Sequence, residues 1–392
     1  MTSRRAFTTA LAIVVAAFAA ACTAPAGGTP GTTTTTLPVN PDSPTITDFR
    51  AEVPSGPAPL AVALRWTIAD PQNLDLLCEL DLDDDGVYER TIVSCTSATV
   101  RTESFTTPGT TTVRLRVSNG AAPAVTATTA VQVGAPADEP FDITLELLGS
   151  FTPARTSAFT AAAARWSQVV HAGLPDLTLT YAADGCGTGS PAFDGSIDDV
   201  RIVARVAPID GVGKVLASAG PCYYRTSSGL SVAGSMLFDE ADIVGLENSG
   251  DLGDVVLHEM GHVLGIGTLD PWNGLRTGVG TGATAFTGAH ALGVWQVLGG
   301  TGAVPLENTG GGGTADSHWR ETTFGRELMT GFEDPGADPL SRLTVASLAD
   351  MGYAVDLAAA DPFLLPLPGS VRAAARSTAP ATEQLLLPVG GV

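Results

Sequence analysis

The segment His258-Glu259-Met260-Gly261-His262 has the residue types and the spacing of a metal site. Side chains four residues apart share one face of a helix with 3.6 residues per turn, so both imidazoles can reach one cation. Two neutral imidazoles suit Zn²⁺, and a carboxylate beside them can act as a general base on water. The pattern predicts zinc hydrolase chemistry, with His258 and His262 as metal ligands and Glu259 as the catalytic residue.

The residues around this motif predict a buried helix that ends just after the second histidine. The five-residue motif also occurs by chance on ordinary helix faces, so its surroundings matter. Asp251 and Asp254 lie at the N-terminal end, where the helix dipole favours acidic groups, and Gly265 is a natural helix stop. Apolar residues recur at helical spacing on the predicted buried face: Leu252, Val255, Val256, Met260, Val263 and Leu264.

A catalytic zinc site needs a third protein ligand, and two imidazoles remain downstream, His290 and His318. A third ligand six residues after His262 is excluded because Thr268 stands there. The glycine run 310–313 gives the backbone before His318 the freedom to fold back onto the helix. His290 is the rival ligand, but it begins a predicted apolar helix, Ala291 to Leu298, and His318 is therefore favoured.

Three separate segments resemble the leishmanolysin-like metzincin metallopeptidases, whose zinc motif carries an insertion before the third histidine. The segments are 258–268, 313–321 and 327–331, and the resemblance runs from about Phe141 to Val355. It implies an α+β zinc peptidase domain over residues 139–356.

The same resemblance assigns roles to individual residues. It implies that His258, His262 and His318 bind one zinc ion, that Glu259 serves as acid and base, and that Met329 lies in a turn beneath the metal. Core filling is the plain alternative for Met329. A tyrosine as a fifth ligand is not expected, because no tyrosine follows Met329 closely.

Residues 1–22 read as an export signal with a lipobox-like end. A basic Ser3-Arg4-Arg5 precedes an apolar run, Ala10 to Phe18, that is too short to span a bilayer. Cys22 follows three alanines and is a lipidation candidate, although Ala19 stands where a larger aliphatic residue is usual. The arginine pair also resembles a twin-arginine signal, and an ordinary basic region explains it equally well. Residues 23–45, rich in Thr and Pro, read as a linker.

Residues 46–134 predict a β-sandwich made of short alternating strands. Val113, Leu115 and Val117 face one way while polar residues face the other, as in a half-buried strand. Segments 54–60 and 108–115 resemble a PKD domain, an immunoglobulin-like module that implies a spacer or a substrate-presenting role. The predicted fold class is thus multidomain, a PKD-like sandwich followed by an α+β metzincin-type domain.

An acidic run in the sandwich matches the first half of a calcium loop. Asp81, Asp83 and Asp85 alternate before a glycine, but Ile92 stands where an EF-hand needs a bidentate glutamate. A hairpin turn is the favoured interpretation. A weak Ca²⁺ site that uses Glu89 is the alternative.

The peptidase region predicts a strand from Phe141 to Leu147, a helix begun by Thr152 and Pro153, and strands near 177–181 and 200–206. Residues 208–222 are expected to form a loop that leads toward the metal helix. The tail, residues 357–392, has no usable motif and is expected to pack on the domain or to be trimmed.

Charge and cysteine usage bound the partners and the compartment. A formal net charge of -21 with a pI near 4.4 argues against nucleic acid and anionic lipid headgroups as partners. With Cys22 as the anchor candidate, we expect disulfides Cys78–Cys95 and Cys186–Cys222, each within one domain. No thiol then remains to block the metal.

Together these features predict an exported zinc endopeptidase, on the cell surface or secreted, that acts on proteins or peptides. The alternative is a surface adhesion or binding lipoprotein with a structural or inactive zinc domain. A serine hydrolase is disfavoured because no Gly-x-Ser-x-Gly motif occurs.

Overall fold

Alternating apolar residues in the first part of the chain form strands of a β-sandwich. The computed structural model describes residues 40, 42–95, 98–332, 336–367 and 382–392. Within these ranges one sheet has the strand order β1-β3-β6 and the facing sheet the order β2-β8-β7-β4-β5. The strands are β1 (Thr45–Glu52), β2 (Ser55–Pro57), β3 (Leu60–Ala69), β4 (Leu77–Asp81), β5 (Arg90–Val93), β6 (Ala98–Phe105), β7 (Gly109–Ser118) and β8 (Val125–Gly134).

The sandwich core lies between the two sheets. Val113, Leu115 and Val117 are fully buried there, as the alternation along β7 predicted, and Trp66 packs among them from β3. Cys78 and Cys95 form the predicted disulfide at its edge. The coarse prediction of a β-sandwich is therefore confirmed.

The second part of the chain is built on a mixed sheet flanked by helices. Its main path runs β18-β13-β14-β12-β9, and β19 also pairs with β13. Strands β9, β12 and β14 are mutually parallel, whereas β13 is antiparallel to β14. The sheet strands are β9 (Ile143–Gly149), β12 (Val200–Ala207), β13 (Val215–Tyr224), β14 (Ser231–Asp239), β18 (Thr382–Leu385) and β19 (Gly390–Gly391).

Helices and short hairpins surround this sheet. The helices are α1 (Pro153–Val169), α2 (Ile243–Ser249), α3 (Leu252–Leu264), α4 (Asp270–Asn273), α5 (Ala289–Val297), α6 (Glu321–Phe324) and α7 (Arg342–Met351), followed by a 3-10 turn, Leu357–Ala359. The remaining strands are β10 (Leu177–Tyr181), β11 (Phe193–Ile197), β15 (Arg276–Thr277), β16 (Ala285–Phe286) and β17 (Val304–Pro305). No helix among the described residues is long and apolar enough to cross a membrane.

Helix α3 lies directly against the sheet and against α1. A Cβ on Gly234 of β14 would come within 2.3 Å of Val263, so glycine lets the helix approach the strand closely. The indole N–H of Trp166 on α1 donates to the Leu257 carbonyl at 2.9 Å. Thr152 caps α1 and Gly265 ends α3 with φ 116°, as the sequence predicted.

The prediction of a loop over residues 208–222 is wrong for its second half. Residues from Val215 onward form β13, with β14 on one side and the C-terminal β18 and β19 on the other. Ala217, Ser218, Ala219 and Gly220 are all buried, so no alternation marks the strand in the sequence. Cys222 on β13 forms the predicted disulfide with Cys186.

Helix α5 joins the sandwich to the second part of the chain. The hydroxyl of Thr102 on β6 donates to the His290 carbonyl at 2.7 Å, and the Val100 N–H donates to the Gln296 side chain at 2.9 Å. Gly293 allows this contact, since a Cβ there would lie 2.6 Å from the Thr102 backbone nitrogen. The predicted export signal over 1–22, its Cys22 and nearly all of the predicted linker lie outside the described residues.

Candidate metal centre

Helix α3 presents two imidazoles from one face. The Nε2 atoms of His258 and His262 lie 3.0 Å apart, as expected for residues one helical turn apart. Both side chains belong to the last turns of the helix, which stops at Gly265. The helix therefore aims both rings at one point.

His318 approaches the same point from the loop that follows the glycine run. Its Nε2 lies 3.0 Å from that of His262 and 3.1 Å from that of His258. The next residue, Trp319, is fully buried and its N–H donates to the Met329 carbonyl at 2.9 Å, which anchors the loop. Three imidazoles distant in sequence thus converge in space.

Backbone carbonyls fix the tautomer of each ring. The Nδ1–H of His258 donates to the Leu328 carbonyl at 2.6 Å, and that of His262 donates to the Ile266 carbonyl at 2.8 Å. The Nδ1–H of His318 donates to the Thr314 carbonyl at 3.0 Å. In the neutral rings each Nε2 then carries a lone pair, and all three lone pairs face one another. Such an arrangement needs a cation between them, so the residues fit a zinc ion.

A fourth ligand candidate, which the sequence did not reveal, comes from the C-terminal segment. Glu383 on β18 places Oε1 2.6 Å from Nε2 of His318. Its Oε2 lies 3.0 Å from Nε2 of His258 and 3.5 Å from that of His262. These four residues form a group whose ligand atoms lie within 4.8 Å of one another, as one metal ion requires.

The histidines and Glu383 shift one another's pKa values. Burial lowers the pKa of His262 to about 4. Burial also opposes charge on His258, but the hydrogen bond to Glu383 and its negative charge outweigh it and raise the pKa of His258 to about 9. Burial acts to raise the pKa of Glu383, and the neighbouring histidines hold it well below its usual range. A divalent ion would take the place of the proton on His258.

Glu259 lies on α3 next to His258 and is buried. It faces a small cavity whose walls include Val255, Leu328 and Thr330, and Glu383 forms part of the same lining. A carboxylate in this position can exchange a proton with a molecule held beside the three imidazoles.

Met329 packs under the metal helix. A Cβ on Gly261, between the two helix histidines, would lie 2.9 Å from the Met329 sulfur. The Met329 N–H donates to Glu327 Oε2 at 2.8 Å, and Glu327 also accepts from the Ser341 and Thr344 hydroxyls at 2.6 and 2.5 Å. The buried carboxylate of Glu327 therefore ties this turn to the start of α7.

The rival ligand His290 does not join the histidine group. Its Nδ1 lies 2.9 Å from Oδ1 of Asp350, which also accepts the His290 backbone N–H at 2.8 Å. This pair holds the start of α5 against α7.

The acidic run of the sandwich forms the hairpin between β4 and β5. Asp81 accepts the N–H groups of Asp85 at 3.2 Å and Gly86 at 2.9 Å, while Glu89 accepts that of Leu82 at 2.7 Å. The hairpin turn is confirmed. Carboxylate oxygens of Asp81, Asp83, Asp85 and Glu89 lie within 4.8 Å of one another, and calcium binding there stays a prediction.

A family model described as leishmanolysin matches residues 300–366 of this chain. The matched range contains His318 and Met329 but not the helix with His258 and His262. The match indicates a metallopeptidase. None of the curated proteins matches the chain.

Two solved structures of PKD domains are similar to part of this chain. The PKD domain of an M14-like peptidase from Thermoplasmatales archaeon SCGC AB-540-F20 has 17% identity and a TM-score of 0.20, covering 23% of this chain and 92% of that one. The PKD1 domain of Vibrio anguillarum Epp has 21% identity and a TM-score of 0.18, covering 24% and 96%. The sandwich assignment rests on the strand pairing described above.

Proposed function

We propose that this chain is an exported zinc-dependent endopeptidase that hydrolyses peptide bonds in proteins. The observation that carries the proposal is the convergence of three Nε2 atoms, within 3.0 to 3.1 Å of one another, beside a buried glutamate. His258, His262 and His318 would hold the metal. When bound, zinc supplies a Lewis acid and lowers the pKa of water toward ~7.

Glu259 is the residue that moves protons in this proposal. Its carboxylate takes a proton from the attacking water and returns it to the leaving amine nitrogen of the substrate. Met329 and the carbonyls of Leu328, Ile266 and Thr314 keep the imidazoles in position. Two disulfides fit the oxidising compartment that an exported enzyme meets, and Cys22 remains a proposed lipid anchor.

A second candidate is a surface binding protein with a structural zinc site. The position of Glu383 favours it, because a site closed by four protein ligands is typical of structural zinc. The sandwich would then be the binding module.

Casein digestion separates the two candidates. The test uses a chain shortened to end at Ala381, which lacks Glu383. We expect this chain to digest casein, to lose the activity when a chelator is added and to regain it with added zinc. A shortened chain that is folded and zinc-loaded yet leaves casein intact would favour the structural site.

A further inference from the structure

We propose that residues 382–392 form an inhibitory segment that closes the metal site of this chain through Glu383. The proposal rests on the zinc peptidase function proposed above. It concerns how the site is regulated.

With zinc held by the three histidines, the Glu383 carboxylate would compete with a catalytic water for the remaining ligand position. It contacts the Nε2 atoms of all three histidines, at 2.6 Å from His318, 3.0 Å from His258 and 3.5 Å from His262. Its side chain is only 10% exposed, so it is enclosed with the rings. Catalytic zinc sites keep a fourth position open, and with zinc bound this carboxylate would close it.

The backbone of the same segment covers the edge of the sheet. Strand β18 pairs in parallel with β13, opposing Gln384 to Ser218 and Leu385 to Ala219, and β19 continues alongside Tyr223. Between these pairings the N–H groups of residues 386 and 389 donate to the carbonyls of residues 219 and 222, each at 2.8 Å. The segment thus occupies the length of this edge.

The segment is seated closely on both sides. A Cβ on Gly220 of β13 would lie 2.1 Å from the Leu386 carbonyl oxygen. On the opposite wall a Cβ on Gly313, which has φ +102°, would lie 2.8 Å from the Glu383 carbonyl oxygen. Glycines on the two walls therefore leave room for this strand.

An extended peptide and this segment would compete for the same place. Peptides bind sheet edges by adding a strand. Without this segment β13 would be such an edge, and its Leu216 lines the cavity beside His258 and Glu259. The pairing with β13 is parallel and short, and parallel pairs are slightly less stable per residue than antiparallel ones. The segment can therefore inhibit and still be displaced.

The first test reads the metal site without using activity. Cobalt is loaded into the full chain, the Glu383→Gln variant and the chain ending at Ala381, and the visible absorption of each is recorded. We expect the full chain to differ from the other two, because only it supplies the Glu383 carboxylate as a fourth ligand. Identical spectra for all three would overturn the proposal. Circular dichroism verifies that each protein is folded.

The second test adds the segment back as a synthetic peptide of residues 382–392. We expect it to bind the shortened chain, to restore the cobalt spectrum and to slow casein digestion. In the full chain the covalent connection typically gives such a segment an effective concentration on the order of millimolar. The free peptide should therefore need a similar concentration to occupy the site. A Glu383→Gln peptide should fail, and a Leu387→Ala peptide should act like the natural one, since Leu387 is 71% exposed.

The outcomes distinguish this proposal from the proposed function. If the shortened chain shows no casein activity while its cobalt spectrum still changes when the natural peptide is added, the peptidase function is refuted and Glu383 is supported as the closing ligand. If the full and shortened chains digest casein at equal rates, the inhibitory role of residues 382–392 is refuted and the peptidase function is supported.

Discussion

Gly261 and Met329 touch across the floor of the candidate metal centre, where a Cβ on the glycine would lie 2.9 Å from the methionine sulfur. Trp166 closes the same spot, 3.2 Å from that Cβ position. Met329 is fully buried. The absence of a side chain at Gly261 lets the Met329 turn support the helix that carries His258 and His262.

The first prediction follows from this contact. Gly261→Ala should lower the free energy of unfolding by about 1–3 kcal/mol, the usual cost of overpacking a core, and should weaken zinc binding. Gly245→Ala on α2 is the matched control because a Cβ there meets nothing within 4 Å. The control should be neutral or stabilising by up to about 1 kcal/mol. Urea unfolding measures the free energy of unfolding, and zinc titration measures the zinc affinity. Equal changes in Gly261→Ala and Gly245→Ala would contradict the proposed packing effect.

The second prediction concerns Glu327, which holds the Met329 turn. Glu327→Ala leaves buried donors of Met329, Ser341 and Thr344 without their acceptor and should cost on the order of 3 kcal/mol or more. Glu327→Gln keeps one acceptor oxygen and should cost less. Thermal unfolding of the three proteins gives the comparison, and an Ala variant as stable as the Gln variant would refute it.

The same carboxylate gives a pH dependence. Burial raises the pKa of Glu327 above 4.5, although its hydrogen bonds oppose the shift. The folded state then binds the proton more tightly than the unfolded state, so this contribution is full below pH 4.5 and is lost as pH rises through the folded pKa. Relative to Glu327→Gln, the natural protein should lose stability as pH rises from 4.5. If the stability of the natural protein relative to Glu327→Gln stayed constant or increased as the pH rises, the pKa of Glu327 would not be raised in the folded state.

The third prediction separates catalysis from metal binding. Glu259→Gln should keep zinc, because the three imidazoles remain, and should reduce peptidase activity by about 10²–10⁴-fold, the usual contribution of a general base. The substitution is made in the full chain and in the chain ending at Ala381. Metal analysis and casein digestion are measured together. In the chain ending at Ala381, a Glu259→Gln variant that digests casein as fast as its unsubstituted counterpart would exclude Glu259 as the base.

Local pattern predicted the parts of the site that belong to one element. Spacing on a helix placed His258 beside His262, and apolar periodicity and Gly265 predicted the bounds of α3. Alternation along β7 likewise predicted its buried face in the sandwich. The metal-binding roles of these residues remain predictions.

The missed features depend on contacts between distant parts of the chain. Strand β13 carries small residues buried on both faces, which leaves no alternation to recognise. Glu383 reaches the histidines only through the register of β18 on β13, and no local pattern in the tail specifies that register. His318, by contrast, was favoured from the sequence, although its position depends on how the loop after the glycine run folds onto α3.

The most direct test is the zinc content of the natural sequence, His318→Ala and His290→Ala, each shortened to end at Ala381 so that Glu383 cannot replace a missing imidazole. We expect about one zinc ion per chain in the natural sequence and in His290→Ala, because His290 pairs with Asp350 and not with the histidine group. His318→Ala should bind zinc far more weakly and lose it on dialysis. Full zinc in His318→Ala, or its loss in His290→Ala alone, would contradict the three-imidazole site.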